Sequence, residues 1–198
     1  KVFKAWQTQT MHPDLAIRFP EIKTFTAVSG AMSAKIDITP AGFHAMVFNG
    51  ANTYFIDPFS KDNAGYYMVY YKKDYTKTGE GRVCNMPDEE GDEVHAGKIV
   101  VGRPDVPPIS YMVHGTTQKT YRLALACTNE YATAVGGPVP TTLSVLAAMV
   151  TSINRVNGVY ERELAITLQL IPNTDELIYL TAPDPYTNGN AGAMLGEN

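Results

Sequence analysis

The apolar residues change their spacing twice between Thr120 and Leu180. Tyr121 to Cys127 alternates apolar and polar and is short, which predicts a strand. Gly136, Gly137 and Pro138 break that pattern. From Pro140 the apolar residues fall at helical spacing: Leu143, Leu146, Val150, Ile153 and Tyr160. Val145, Met149, Val156 and Val159 make a second stripe beside the first. A helix apolar over so much of its circumference is predicted to be buried against a sheet. Pro140 suits its first position, where a missing N–H would be unpaired anyway. Leu164 to Ile171 then reads as a second strand, closed by Pro172 and Asn173, and Leu177 to Leu180 as a third, shorter one. Strand, crossover helix and strand together make a βαβ unit, with a strong preference for the right-handed crossover.

Toward the N-terminus the period is two. Ile22 to Val28, Ala34 to Thr39, Gly42 to Phe48, Thr53 to Asp57 and Tyr66 to Tyr71 each read as a strand. Asn49-Gly50 is a hairpin signal between two of them. The spacing predicts an antiparallel meander. Between two prolines, Asp14 is placed to cap a short turn of helix over Leu15 to Arg18.

Between these blocks, Thr76 to Lys119 is punctuated by glycine and proline. It carries an acidic run, Asp88 to Glu93, that reads as a solvated face or as a cation-binding loop. Val94 to Val101 reads as an added strand. The expected organisation is a β-rich domain over residues 1–105, a linker over 106–119 and an α/β part over 120–198. The fold class is α+β: a mostly antiparallel β domain followed by a βαβ unit. Exposed linkers of this composition are where proteolytic nicking concentrates.

Composition narrows the partners. The formal net charge is −4 and no basic stretch is present, which argues against nucleic acid and anionic membrane. No apolar run approaches the roughly 20 residues of a membrane helix. No signal peptide begins at Lys1; a mature exported chain would also lack one, so this decides nothing. Two cysteines, Cys84 and Cys127, either pair with each other or stay free.

Several stretches, in order, carry a resemblance. Tyr121-Arg-Leu-Ala-Leu-Ala, Asn129-Glu-Tyr131 and Asn154-Arg-Val-Asn-Gly-Val-Tyr-Glu-Arg162 resemble the start of the catalytic domain of reprolysin-like (adamalysin-type, metzincin) zinc metallopeptidases, closest to the secreted bacterial branch. Asn157-Gly158-x-Tyr160 is the most specific of these. Asp184 to Leu195 is also similar to that branch. The N-terminal block resembles the propeptide of the same peptidases, through Pro20-Glu-Ile-Lys-Thr-Phe, Gly42-Phe-His-Ala-Met, the Tyr54 to Pro58 stretch and Tyr70-Tyr-Lys-Lys-Asp-Tyr75. The resemblance implies a propeptide joined to the front part of a partial metzincin-like catalytic domain, secreted as a zymogen. Its substrates would be proteins or peptides and its cofactor zinc.

The chain departs from the family at the metal motif. Zinc peptidases need three protein ligands, an open position for water and a carboxylate base. Two histidines one helical turn apart supply the first two ligands, because i and i+4 share a face. Here the histidines are His12, His44, His95 and His114, and none has a partner at i+4. The fragment is therefore expected to be inactive and to bind zinc weakly. Ser144 lies on the predicted buried helix without a histidine nearby in sequence, and Asp57 with His44 reads as a core polar pair.

Arg82-Val-Cys84-Asn-Met-Pro87-Asp88 resembles the cysteine-switch segment of metzincin propeptides. There a thiolate occupies the zinc and denies it a water molecule. The arginine stands two residues before the cysteine rather than next to it, and Asn85 stands where glycine is usual. Cys84 is thus a candidate latency ligand in the complete zymogen, against the plain reading of a disulfide with Cys127 or a free thiol. Asp184 to Asn190 offers hard-cation ligands for calcium, or a simple Asx-rich turn. Asn190 is placed to cap a short helix over Ala191 to Leu195.

Two classes of function stay open at this point. One is the zymogen fragment, expected to leave an apolar flank along Leu143 to Val159. That flank would meet the remainder of the catalytic domain, possibly as a separate chain, or a second copy. The other is a non-catalytic exported module that binds a protein or inhibits a protease.

Overall fold

A computed structural model describes residues 1–60, 63–75 and 117–197. The Cys84 segment, the acidic run, the strand expected at 94–101, and His95 and His114 lie outside the described residues. Among the described residues the architecture is α+β: a six-stranded antiparallel sheet, four α-helices and a two-stranded parallel sheet.

The N-terminal half is an antiparallel meander, with strands side by side in chain order: β1 (Lys4–Thr8), β2 (Lys23–Ser29), β3 (Met32–Thr39), β4 (Gly42–Asn49), β5 (Asn52–Ser60) and β6 (Asn63–Tyr71). The β4–β5 turn is Gly50-Ala51, closed by the Asn49–Asn52 pair. Gly50 has φ +60°, a conformation that costs an L side chain energy and glycine little. Because successive side chains point to opposite faces, the register sorts the sheet sharply. Thr24, Thr26, Lys35, Asp37, His44, Phe55 and Asp57 share one face. Ala27, Ala34, Ile36, Ala45, Val47 and Ile56 share the other, where they form a core cluster with Phe3, Phe43 and Tyr54.

The C-terminal half is β7 (Lys119–Leu123), α2 (Asn129–Gly136), α3 (Thr142–Glu163), β8 (Ile166–Leu170) and α4 (Ala191–Glu197). β7 and β8 pair in parallel across α3, as the βαβ pattern predicts. α3 begins at Thr142, not Pro140, and Thr141 caps it: the Thr141 hydroxyl accepts from the Ser144 N–H while Ser144 Oγ accepts from the Thr141 N–H, a capping box. Pro140 precedes the cap. The expected third strand is reduced to a single bridge between Cys127 and Ile178, because Thr174–Leu177 winds into a 3-10 turn first. Asn190 caps α4 as expected, its Oδ1 accepting from the Ala193 N–H at 3.0 Å.

Between β1 and β2, α1 (Pro13–Arg18) starts two residues earlier than the sequence suggests. Its cap is His12, whose Nδ1 accepts from the Asp14 N–H at 3.3 Å, with Pro13 at the first helical position. α1 packs not on the sheet it interrupts but on the other half. Met11, Leu15 and Ile22 lie in one buried cluster with Leu146, Met149, Val150, Ile153 and Leu170. The expected bare flank of α3 is occupied: β7, β8, α1 and α2 lie on one side and the polar face of the N-terminal sheet on the other. Among the described residues no helix is long and apolar enough to cross a membrane.

Candidate functional site

The seam between α3 and the polar face of the sheet holds most of the buried charge. α3 brings Thr151, Asn154, Arg155, Gly158, Glu161 and Arg162 to it, residues spaced three and four apart and so lying along one stripe. Three carboxylates organise the contact. Asp37, 1% exposed, accepts from Thr151 Oγ1 at 2.6 Å and from Asn154 Nδ2 at 3.3 Å. Asp57 takes the Arg155 guanidinium on one oxygen and the Tyr70 hydroxyl, at 2.7 Å, on the other. Glu161 pairs with Lys35 Nζ at 2.6 Å and accepts from Thr167 Oγ1 at 3.2 Å. Arg155 also lies over the Phe55 ring and Arg162 over the Phe48 ring, at 5.1 and 4.2 Å to the centroids.

The expected Asp57–His44 pair is not formed. The β3–β4 register sets His44 opposite Asp37, with Nδ1 3.1 Å from Oδ2, close enough for an ion pair but not aligned as a hydrogen bond. Asp57 is drawn instead to Arg155. A register decides such partners, and a sequence does not display its register.

Asn157-Gly158 sits where the halves meet. Asn157 turns toward β8: its Nδ2 donates to the Leu168 carbonyl and its Oδ1 accepts from the Leu168 N–H, each at 2.8 Å. Gly158 turns toward the sheet. A Cβ there would stand 3.0 Å from Lys35 Cγ and 3.1 Å from the Phe48 ring, so only hydrogen fits without displacing them.

Beside the seam opens a cleft of about 610 Å³. Its walls are the hydroxyls of Thr8, Thr26, Thr120 and Thr167, the amides of Gln9, Gln118 and Gln169, and the Lys35–Glu161 pair. These groups hydrogen-bond. The one carboxylate is committed to Lys35 and Thr167, so the cleft offers no free base.

Tyr70 is perturbed by this arrangement. Burial first, and then the Asp57 carboxylate that it donates to, push its hydroxyl up to about 12. A folded-state value raised above the ordinary one favours the neutral form. The stability that it contributes is complete below pH about 10 and lost as pH rises toward 12. Denaturant unfolding across that range should show the alkaline loss in the wild type and a flatter curve in Tyr70→Phe. Superimposable curves would show that Tyr70 is not the group responsible.

The other predicted site residues sit apart. Cys127 is buried and bonded to no cysteine among the described residues, and burial disfavours ionisation of its thiol, so it is a poor nucleophile or metal ligand. The Asp184 carboxylate accepts from the N–H and the side-chain amide of Asn129 and, through its other oxygen, from the Tyr186 N–H. These donors, the Asn129 N–H foremost, hold its pKa below the ordinary carboxylate value. That is an Asx turn which also steadies the start of α2. Among the described residues no three of His, Cys, Asp and Glu come together as a metal site. His12 is engaged as a helix cap and His44 faces Asp37, so the described residues do not fit a zinc centre.

The seam residues escaped the sequence reading, although a signal existed. Ser33, Lys35, Asp37 and Thr39 make one face of an alternating strand wholly polar, and the polar stripe of α3 has the matching helical period.

Residues 117–197 match the family model described as Metallo-peptidase family M12B Reprolysin-like. No curated protein and no solved structure matches the chain. The matched segment is similar to part of a reprolysin-like domain, and it contains β7, α2, α3, β8 and α4.

Proposed function

We propose that the chain is the propeptide and the front part of a zinc-dependent endopeptidase zymogen, exported from the cell and inactive as residues 1–198 alone. The observation that carries the reading is the junction at α3. A reprolysin-like segment presents its Asn157-Gly158 corner to two neighbours at once, its own strand β8 and a separate six-stranded unit. A unit seated on the protease segment in this way is what a propeptide requires. Peptide hydrolysis belongs to the complete protein, where zinc would supply the activated water.

Cys84 is the candidate latency ligand, since a thiolate on zinc excludes the water that attacks the peptide. In the full-length protein, Cys84→Ala should self-activate early, and the wild-type thiol should become reactive only after a chelator is added. A Cys84–Cys127 disulfide would end that assignment, because a disulfide has no thiolate to give the metal.

The wider test is the gene product read beyond Asn198. A His-Glu-x-x-His segment is expected within about a hundred further residues, the scale of a domain. Chelator-sensitive cleavage of a protein substrate is expected from the full-length product and none from residues 1–198. A stop codon directly after Asn198, with no metal-dependent cleavage, would overturn the zymogen and leave a non-catalytic binding module.

A further inference from the structure

We infer that the N-terminal unit, residues 1–75, is held by the reprolysin-like segment as a non-covalent subunit, so that cutting the chain between them does not release it. The regulatory meaning rests on the propeptide reading: cleavage alone would leave the inhibitor seated.

The seat has three parts. The first is main chain. The Leu170 N–H donates to the Thr10 carbonyl at 2.8 Å and the His12 N–H donates to the Leu170 carbonyl at 2.9 Å. Thr10 to His12 thus extends the two-stranded sheet by one parallel bridge at β8, on the side away from β7. This is recognition by strand addition, in which backbone bonds hold and side chains select.

The second part is an apolar anchor. Leu15 is 0% exposed, although α1 is exposed at most of its other positions. It enters the cluster of Leu146, Val150 and Leu170, flanked by Met11 and Ile22. A buried knob on a short exposed element has the form of an interface anchor. Arg18 pins the end of α1 outside the pocket, donating to the Pro172 carbonyl at 2.7 Å and to Asp175 Oδ1 at 2.5 Å.

The third part is the polar seam. The sheet turns its charged face to α3 and keeps its apolar cluster on the opposite face. A single continuous core would place apolar residues in the middle. Here the middle holds ion pairs and arginines stacked on aromatics, with Gly158 admitting Phe48. Three buried atoms in the seam, His44 Nδ1, Asn154 Oδ1 and Arg155 Nε, have no hydrogen-bond partner in the protein, as is usual where water bridges two separate partners.

The test uses the whole chain. A recognition sequence for a site-specific protease is inserted between Gly79 and Glu80, and the folded protein is cut. Both fragments are expected to elute together on gel filtration at nanomolar concentration and to separate in denaturant. Exchange of a labelled N-terminal fragment then locates the seat. Arg18→Ala leaves the core intact and should speed exchange by about two- to fivefold, as for a partly exposed ion pair. Leu15→Ala should speed it by about thirtyfold or more, as for a buried leucine. Fragments that part within minutes of cutting would overturn the inference. So would exchange rates that neither substitution alters. No activity is read, so docking can hold even if no metal motif follows Asn198, and it can fail while the peptidase reading stands.

Discussion

Asn157→Ala is expected to destabilise the chain by about 2–5 kcal/mol, measured as a lowered urea midpoint at unchanged slope. The side chain is 1% exposed and makes two hydrogen bonds to one residue, donating to the Leu168 carbonyl and accepting from its N–H. A methyl group replaces neither bond. Two backbone groups in the middle of β8 then lose their partner, and an unmet buried group costs about 1–3 kcal/mol. Gln169 and Thr167 flank the site but are committed to the Gln9 carbonyl and to Glu161. Asn157→Asp should cost at least as much as alanine: it keeps an acceptor for the Leu168 N–H but sets a second acceptor oxygen against the Leu168 carbonyl at a buried position. A loss below about 1 kcal/mol for alanine would mean that water reaches Leu168 and that the motif does not depend on this clasp.

Asp37→Ala is expected to cost about 3 kcal/mol, since breaking a buried polar pair leaves its partners stranded. Thr151 loses its acceptor, Asn154 keeps only the Ile36 carbonyl at 3.0 Å, and His44 loses the carboxylate it faces. Asp37→Asn should cost less, because its amide oxygen still accepts and the Thr151 hydroxyl can rotate to meet an N–H. Charge at a buried site is not stabilising in itself. If the asparagine variant proves as damaging as alanine, charge rather than hydrogen bonding holds Asp37 in the seam. If neither variant matters, the seam contributes little and α1 carries the contact between the halves.

Both substitutions fall on residues whose element was legible and whose partner was not. The two-residue period of Ala34 to Thr39 and the helical spacing from Leu143 to Val159 are local properties, and both elements formed where those patterns place them. So did the parallel pairing across α3, because a strand-helix-strand run has few other solutions. The partners of Asp37, Asp57 and Asn157 are long-range facts. His44 meets Asp37 through the tight β3–β4 connection, and Arg155 reaches Asp57 across 98 residues of sequence. α1 was visible as a turn of helix, but its docking was not, since six residues with one buried leucine carry no directional pattern. The strand expected at Leu177 to Leu180 shrinks for a local reason: a 3-10 turn takes its first residue, and of the rest Ile178 alone is bridged.

The bridge from Thr10–His12 to β8 joins nearly the two ends of the described chain. Gln169, next to the bridged Leu170, bonds Gln9 across 160 residues of sequence. Hairpins of the meander close over a few residues, and their loop entropy is small. The closure at Leu170 must await nearly the whole chain, which makes it slow and places it late in folding. During synthesis the first 75 residues emerge as a sheet before its seat exists. The N-terminal strap and Leu15 then wait in water until α3 and β8 arrive, so this apolar segment is the part of the nascent chain most in need of protection from misassociation.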